Sequence, residues 1–282
     1  ESANSLVILI IYISIYYLSQ FKLSIYDLML FIVFIYSFVP IIVYWIVSIY
    51  FFRFKANSVS PSYHFVDFSK FGTILKESSS FFMIQLSGLV IYSTDSFLIS
   101  YLFDNTKVTI YNLVFRYYQI LMIAFNVVLI PVWPLVSKLN TLGDFDGIIR
   151  IKNKLLLGFF IFIFLSLLLI FIQPIIFAFW IKDEIMIPKS LIFVFAVYSC
   201  VAAIGNIYAV LLNGMGELKV QRNVSILLML INIPLCYFFA NFQKMGFLGI
   251  PIASIFCLLI SGLAVYFEFR KKMLSWNVKS VV

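Results

Sequence analysis

Eight apolar runs of roughly 20 residues, separated by short charged segments, constrain this chain more than any other feature. They are Leu6–Phe21, Leu28–Phe52, Ser79–Phe103, Val108–Val132, Lys154–Ile181, Ser190–Leu212, Val224–Asn241 and Phe247–Phe269. Each is about the length at which a helix crosses the hydrocarbon of a bilayer. Lipid leaves backbone amides no outside partner, so a spanning run closes its hydrogen bonds internally, as a helix. A membrane barrel would show ~10-residue segments of alternating polarity instead, and the sequence has none. Of the 282 residues 63% are hydrophobic and only 11% charged. A soluble domain is nearer half apolar and a quarter charged. The expected fold class is therefore all-α, a polytopic membrane protein of about eight transmembrane helices.

The net charge of +8 reads as topology rather than as a nucleic-acid footprint, because Lys and Arg sit between the apolar runs. Fourteen of them fall on one side, in Arg53–Lys76, Lys138–Lys154, Lys219–Arg222 and Arg270–Lys279. Five (Lys22, Lys107, Lys182, Lys189 and Lys244) fall on the other, and Arg116 stands inside a span. That asymmetry places both termini of the chain in the cytoplasm. The segment from Phe65 to Lys76 mixes apolar and charged residues at helical spacing, which fits a helix lying on the inner membrane face or a solvated linker. The chain opens on Glu1 a few positions before the first run, the expectation for a fragment of something longer.

Few residues carry candidate chemistry. Cys200, Cys236 and Cys257 lie in apolar runs without CxxC spacing and read as small core or lipid-facing residues. His64 and the pair Asp183-Glu184 fall in loops and read as solvated surface. HExxH, GxSxG and P-loop patterns are all missing, so no cofactor and no enzymatic activity are expected. Any active transport then draws on a proton or sodium gradient, or on the substrate's own gradient.

The informative residues are those that lipid rejects. Asp95 and Arg116 each lie well inside a span, where a charge costs about 2.5–3.5 kcal/mol. Asp95 stands nine positions before Asp104, and Arg116 eight after Val108. At ~1.5 Å per residue both lie about 12 Å from the same boundary, so antiparallel neighbours would bring them together. Gln85, Gly88, Tyr92 and Asp95 share one helix face, as do Asn112, Arg116, Gln119 and Asn126 on the next helix. Two facing polar stripes read either as a hydrated cavity wall or as interhelical glue. The candidate cavity residues are Arg116, Asp95, Gln85, Asn112 and Gln119.

Three motifs carry a resemblance: Tyr92-Ser-Thr-Asp-Ser-Phe-Leu-Ile-Ser-Tyr-Leu, Val108-Thr-Ile-Tyr-Asn-Leu-Val-Phe-Arg, and Pro131-Val-Trp-Pro-Leu-Val-Ser-Lys. With the loop Leu212-Asn-Gly-Met-Gly-Glu-Leu-Lys-Val-Gln, the stretch from Phe65 to Lys272 resembles the polysaccharide transporters, the O-antigen flippase (Wzx-like) group. That group belongs to the multidrug/oligosaccharidyl-lipid/polysaccharide exporter superfamily. The resemblance implies two six-helix lobes around a central cavity in the bacterial inner membrane. Residues 1–52 would be the last two helices of the N-terminal lobe, 53–78 a cytoplasmic interlobe linker and 79–282 the C-terminal lobe. The implied substrate is an oligosaccharide repeat unit on undecaprenyl pyrophosphate, passed between leaflets among membrane lipids. In that setting Arg116 would attract phosphate or acidic sugars, while Gln85, Asn112 and Gln119 bond hydroxyls. Asp95 would hold Arg116 or carry a proton. A drug exporter of the same superfamily and a membrane polysaccharide polymerase are the alternative readings.

Overall fold

The computed structural model describes residues 7–8, 10–11, 13–14, 24–55, 67–181 and 186–280. The expected first span, Leu6–Phe21, falls largely outside them, as do His64, Asp183 and Glu184. Every regular element among the described residues is helical, and seven helices are long and apolar enough to cross a membrane. The chain is a multi-pass all-α membrane protein by that measure. It divides into two compact units, Glu1–Phe71 and Gly72–Val282.

The first unit contains α1 (Ile25–Tyr50), which passes into a π-helical turn at Phe51–Lys55. Ser24 caps its start by accepting from the Asp27 amide at 3.2 Å, the role a short hydroxyl takes where a helix leaves its first amides unbonded. Phe31, Phe34, Ile41 and Trp45 point outward along it, which suits a hydrocarbon solvent. Near the end of this unit Asp67 accepts from the Ser69 hydroxyl at 2.6 Å and its amide at 3.0 Å. Those bonds hold its carboxyl below the usual carboxylate range.

The second unit is a helical bundle of α2 (Phe71–Leu102), α3 (Asn105–Leu129), α4 (Val132–Leu142), α5 (Phe145–Ile181), α6 (Lys189–Gly214), α7 (Lys219–Tyr237) and α8 (Gly249–Ser280). Of the segment read as an in-plane helix or a solvated linker, Phe68–Lys70 form a 3-10 turn and the residues from Phe71 belong to α2, which runs unbroken to Leu102. The helix continues past the apolar run here because no proline interrupts the backbone ladder between Phe71 and Ser79. The same holds at α5, which begins at Phe145 rather than Lys154. Only a tight turn separates it from α4. Gly143 ends α4 in the left-handed conformation (φ 71°), where glycine carries no Cβ penalty. Asp144 then accepts from the Gly147 amide at 2.8 Å.

Two buried clusters run through the bundle, and α6 contributes to both. Phe195, Leu191 and Ile192 sit in one, Ile207, Leu211 and Leu212 in the other. This central helix crosses α8 at Gly205 and Gly262, where a Cβ on either glycine would stand 3.6 Å from the other's Cα. Small residues at a crossing let backbones approach, which drives association where no hydrophobic effect operates. By contrast α2 joins the bundle through side chains: the Phe81 and Trp133 rings stack at 5.2 Å, and Arg222 Nη1 donates to Ser80 Oγ at 3.1 Å. The ion pair of Lys272 with Glu217 ties α8 to the loop before α7.

The start of α8 is packed most tightly. A Cβ at Gly249 would meet the Phe239 carbonyl carbon at 2.5 Å and the Ala240 nitrogen at 2.6 Å. Both are backbone atoms, which cannot swing aside. Gly249→Ala is expected to cost about 1–3 kcal/mol of overpacking strain, whereas Gly158→Ala, with open space around it, leaves stability unchanged or raises it. Thermal unfolding in detergent measures both; equal melting of Gly249→Ala and the parent chain would contradict this packing.

Candidate functional site

Asp95 is buried, and what surrounds it differs from the sequence expectation. The Tyr111 hydroxyl donates to its Oδ2 at 2.6 Å. The Ser254 hydroxyl donates at 3.0 and 3.2 Å to its two oxygens. Asn232 Nδ2 in turn donates to Ser254 Oγ at 3.4 Å, so α2, α3, α7 and α8 meet in one polar knot. Among the described residues none of the three ion pairs includes Asp95 or Arg116. The anticipated pair of charges is therefore not formed. Matching depth brings the helices level, but helix rotation turns Arg116 to the exposed face of α3. Two hydroxyls, one from α3 and one from α8, satisfy the carboxyl group in place of a cation.

The remaining expected residues separate in the same way. Asn112 Oδ1 accepts from Ser96 at 3.2 Å and joins α2 to α3. Gln85 lies exposed on α2. Gln119 alone of the five lines a cavity of about 360 Å³ between α3 and α6. Around it stand Tyr92, Phe115, Tyr118, Tyr198, Asn126 and Asn206. Phe195 packs edge-on against Phe115 with centroids 6.0 Å apart, so the wall is built of rings braced by rings.

This cavity continues. A second space of about 280 Å³ shares Asn126 and Asn206 with it and adds Trp133, Asn213 and Gln221. A third, of about 70 Å³, branches from Asn206 and Gln221 toward the glycine crossing of α6 and α8. Asn206 Nδ2 donates to Asn126 Oδ1 at 3.3 Å across the groove. None of the three linings contains Asp, Glu, Lys or Arg. The path is carboxamide and aromatic, where a cationic one was expected.

Asn206, Asn213 and Gln221 were missed in the sequence because the apolar run around them masks single amides. The available signal was a period: Ser199, Asn206 and Asn213 recur every seven residues, two helical turns, on one face of α6. Among the described residues no group of His, Cys, Asp and Glu is arranged to hold a metal ion. No family model, curated protein or solved structure matches the chain.

The Asp95 knot has a direct test. Asp95→Leu strands two buried hydroxyls at about 1–3 kcal/mol each, while Asp95→Asn keeps an acceptor oxygen for them. Melting in detergent is expected to fall well below the parent for Asp95→Leu and only slightly for Asp95→Asn. A leucine variant as stable as the asparagine variant would remove the knot's structural role.

Proposed function

We propose that this chain is part of a flippase that carries a lipid-linked oligosaccharide, an O-antigen or capsule repeat unit on undecaprenyl pyrophosphate, across the bacterial inner membrane by alternating access. The observation that carries the reading is the uncharged groove of carboxamides and aromatic rings between membrane-spanning α3 and α6. A glycan cannot enter hydrocarbon because each of its hydroxyls would lose its hydrogen bonds to water. Asn and Gln offer both a donor and an acceptor, so they replace water at a hydroxyl one for one. Aromatic rings such as Tyr92, Tyr198 and Trp133 present flat apolar faces to the C–H side of a sugar. The lipid tail meanwhile remains in the bilayer.

In this reading both termini of the chain are cytoplasmic, and the bundle from Ser79 onward is one lobe of a two-lobed transporter. Transport follows alternating access, with the groove opening first to one leaflet and then to the other. The energy comes from a proton or sodium gradient or from consumption of the flipped product. A small-cation exporter would place a carboxylate in the groove, yet no carboxylate lines it, and buried Asp95 is bonded by Tyr111 and Ser254 instead.

Complementation separates flipping from polymerisation. Introduced as the full-length protein, it is expected to restore surface glycan in a bacterial strain blocked in glycolipid export. A strain blocked in repeat-unit polymerisation should remain uncorrected. Rescue of the second strain and not the first would replace the flippase reading by the enzyme reading.

A further inference from the structure

We infer that the groove is a track for an uncharged, polyhydroxylated chain, read in three rungs along α3, α4 and α6. This rests on the flippase reading and narrows its substrate to a glycan whose translocated portion is neutral.

The rungs come from a register. Gln119 and Ser199 line the first cavity together, Asn126 and Asn206 line both cavities, and Trp133 and Asn213 line the second. In each pair the two residues are 80 positions apart, the separation at which Asn206 bonds Asn126. Within each helix line the step is seven residues. The crossing that holds α3 and α4 is followed by α5 returning, so α6 runs in the same direction as α3. Two parallel helices with matched seven-residue steps set polar side chains opposite each other about every 10.5 Å, from ~1.5 Å of rise per residue. That is close to the length of one disaccharide. Trp133 keeps the step even though a turn separates α3 from α4, and it supplies a ring where the other rungs supply an amide or a hydroxyl.

A second, independent observation points to a ligand. Buried polar atoms in proteins are almost always hydrogen-bonded. Among the described residues three buried side-chain oxygens have no partner: Tyr118 Oη, Asn213 Oδ1 and Gln221 Oε1. All three belong to residues that line this groove. Two are carboxamide oxygens, which only accept, so once a side-chain shift opens them to the groove a donor completes them, a glycan hydroxyl or a water. Hydroxyls donate; phosphate and carboxylate oxygens do not. None of the residues lining the groove is cationic, so an anionic group held among them would lack a lining counter-charge, which is unfavourable. The pyrophosphate of a lipid-linked substrate therefore travels outside the track.

The test is equilibrium binding by the full-length protein in lipid nanodiscs, with cellotetraose, maltotetraose and chitotetraose as neutral probes. Tetragalacturonate serves as the acidic probe and glucose as the single-unit probe. At least one neutral tetrasaccharide is expected to bind saturably, about tenfold or more tighter than tetragalacturonate or glucose. Asn206→Leu and Gln221→Leu each should weaken it by about tenfold, the loss of one hydrogen bond whose partner stays buried. Asn206→Ser, which keeps a polar group, weakens it less, and Thr141→Val on α4 leaves it unchanged. Tighter or equal binding of tetragalacturonate overturns the track. So does unchanged affinity in Asn206→Leu and Gln221→Leu proteins that melt like the parent, or no saturable binding of any neutral probe. A protein that rescues glycolipid export yet prefers the acidic probe keeps the flippase reading and loses the track. One that binds neutral chains but fails to rescue keeps the track and loses the flippase reading.

Discussion

A polar group inside a bilayer has no water to fall back on, and that constraint sorts every polar side chain in this bundle. Some are consumed by their neighbours. Asp95 is used up by Tyr111 and Ser254. The Tyr117 hydroxyl donates to the Leu169 carbonyl at 2.8 Å, and Ser166 and Ser199 lie 3.3 Å apart with Ala196 as a shared acceptor. These bonds fasten helices that hydrophobicity alone would leave free to slide, because lipid is as apolar as their surfaces. Among the described residues the buried side-chain oxygens left without a partner, on Tyr118, Asn213 and Gln221, all belong to residues of one groove, beside the bonded amides of Asn126 and Asn206. Function is argued from that remainder.

The architecture makes such a remainder affordable. The crossing of α6 and α8 at Gly205 and Gly262 brings two backbones together, and the buried clusters flanking it hold α6 from both ends. A central helix fixed in this way can present one face to an open space while its other faces are packed. The ring-on-ring contacts of Tyr111, Phe115, Phe195 and Tyr198 keep the groove wall stiff. They also join it to the Asp95 knot through Tyr111, which bonds the carboxyl with its hydroxyl and packs on Phe195 with its ring. A change at the knot therefore reaches the wall through one side chain.

The helices were legible in the sequence because their signal is collective: twenty apolar residues outvote any single exception. Boundaries were less so. The starts at Phe71 and Phe145 lie in charged segments where helix continues beyond the hydrocarbon, and hydropathy reports lipid rather than backbone. The polar site was legible by kind and not by pairing. Asp95 and Gln119 stood out as residues that lipid rejects, but depth along a helix fixes only one coordinate. Rotation decides whether Asp95 meets Arg116 or Tyr111, and rotation is set by packing against α7 and α8, far away in sequence. Asn206 and Asn213 carried a periodic signal, yet a seven-residue step on one helix gains meaning only beside the matching step on another.

The central claim is that the face shared by α3 and α6 borders water rather than lipid. Cysteine accessibility measures this most directly, in full-length protein whose native cysteines are replaced. Cysteines introduced singly as Gln119→Cys, Asn126→Cys, Asn206→Cys and Asn213→Cys should react with a charged, membrane-impermeant thiol reagent and be protected by a bound glycan. Phe160→Cys and Phe164→Cys, on the outward apolar face of α5, should stay unreactive. Inert cysteines at all four groove positions, in protein that melts like the parent, would contradict the account.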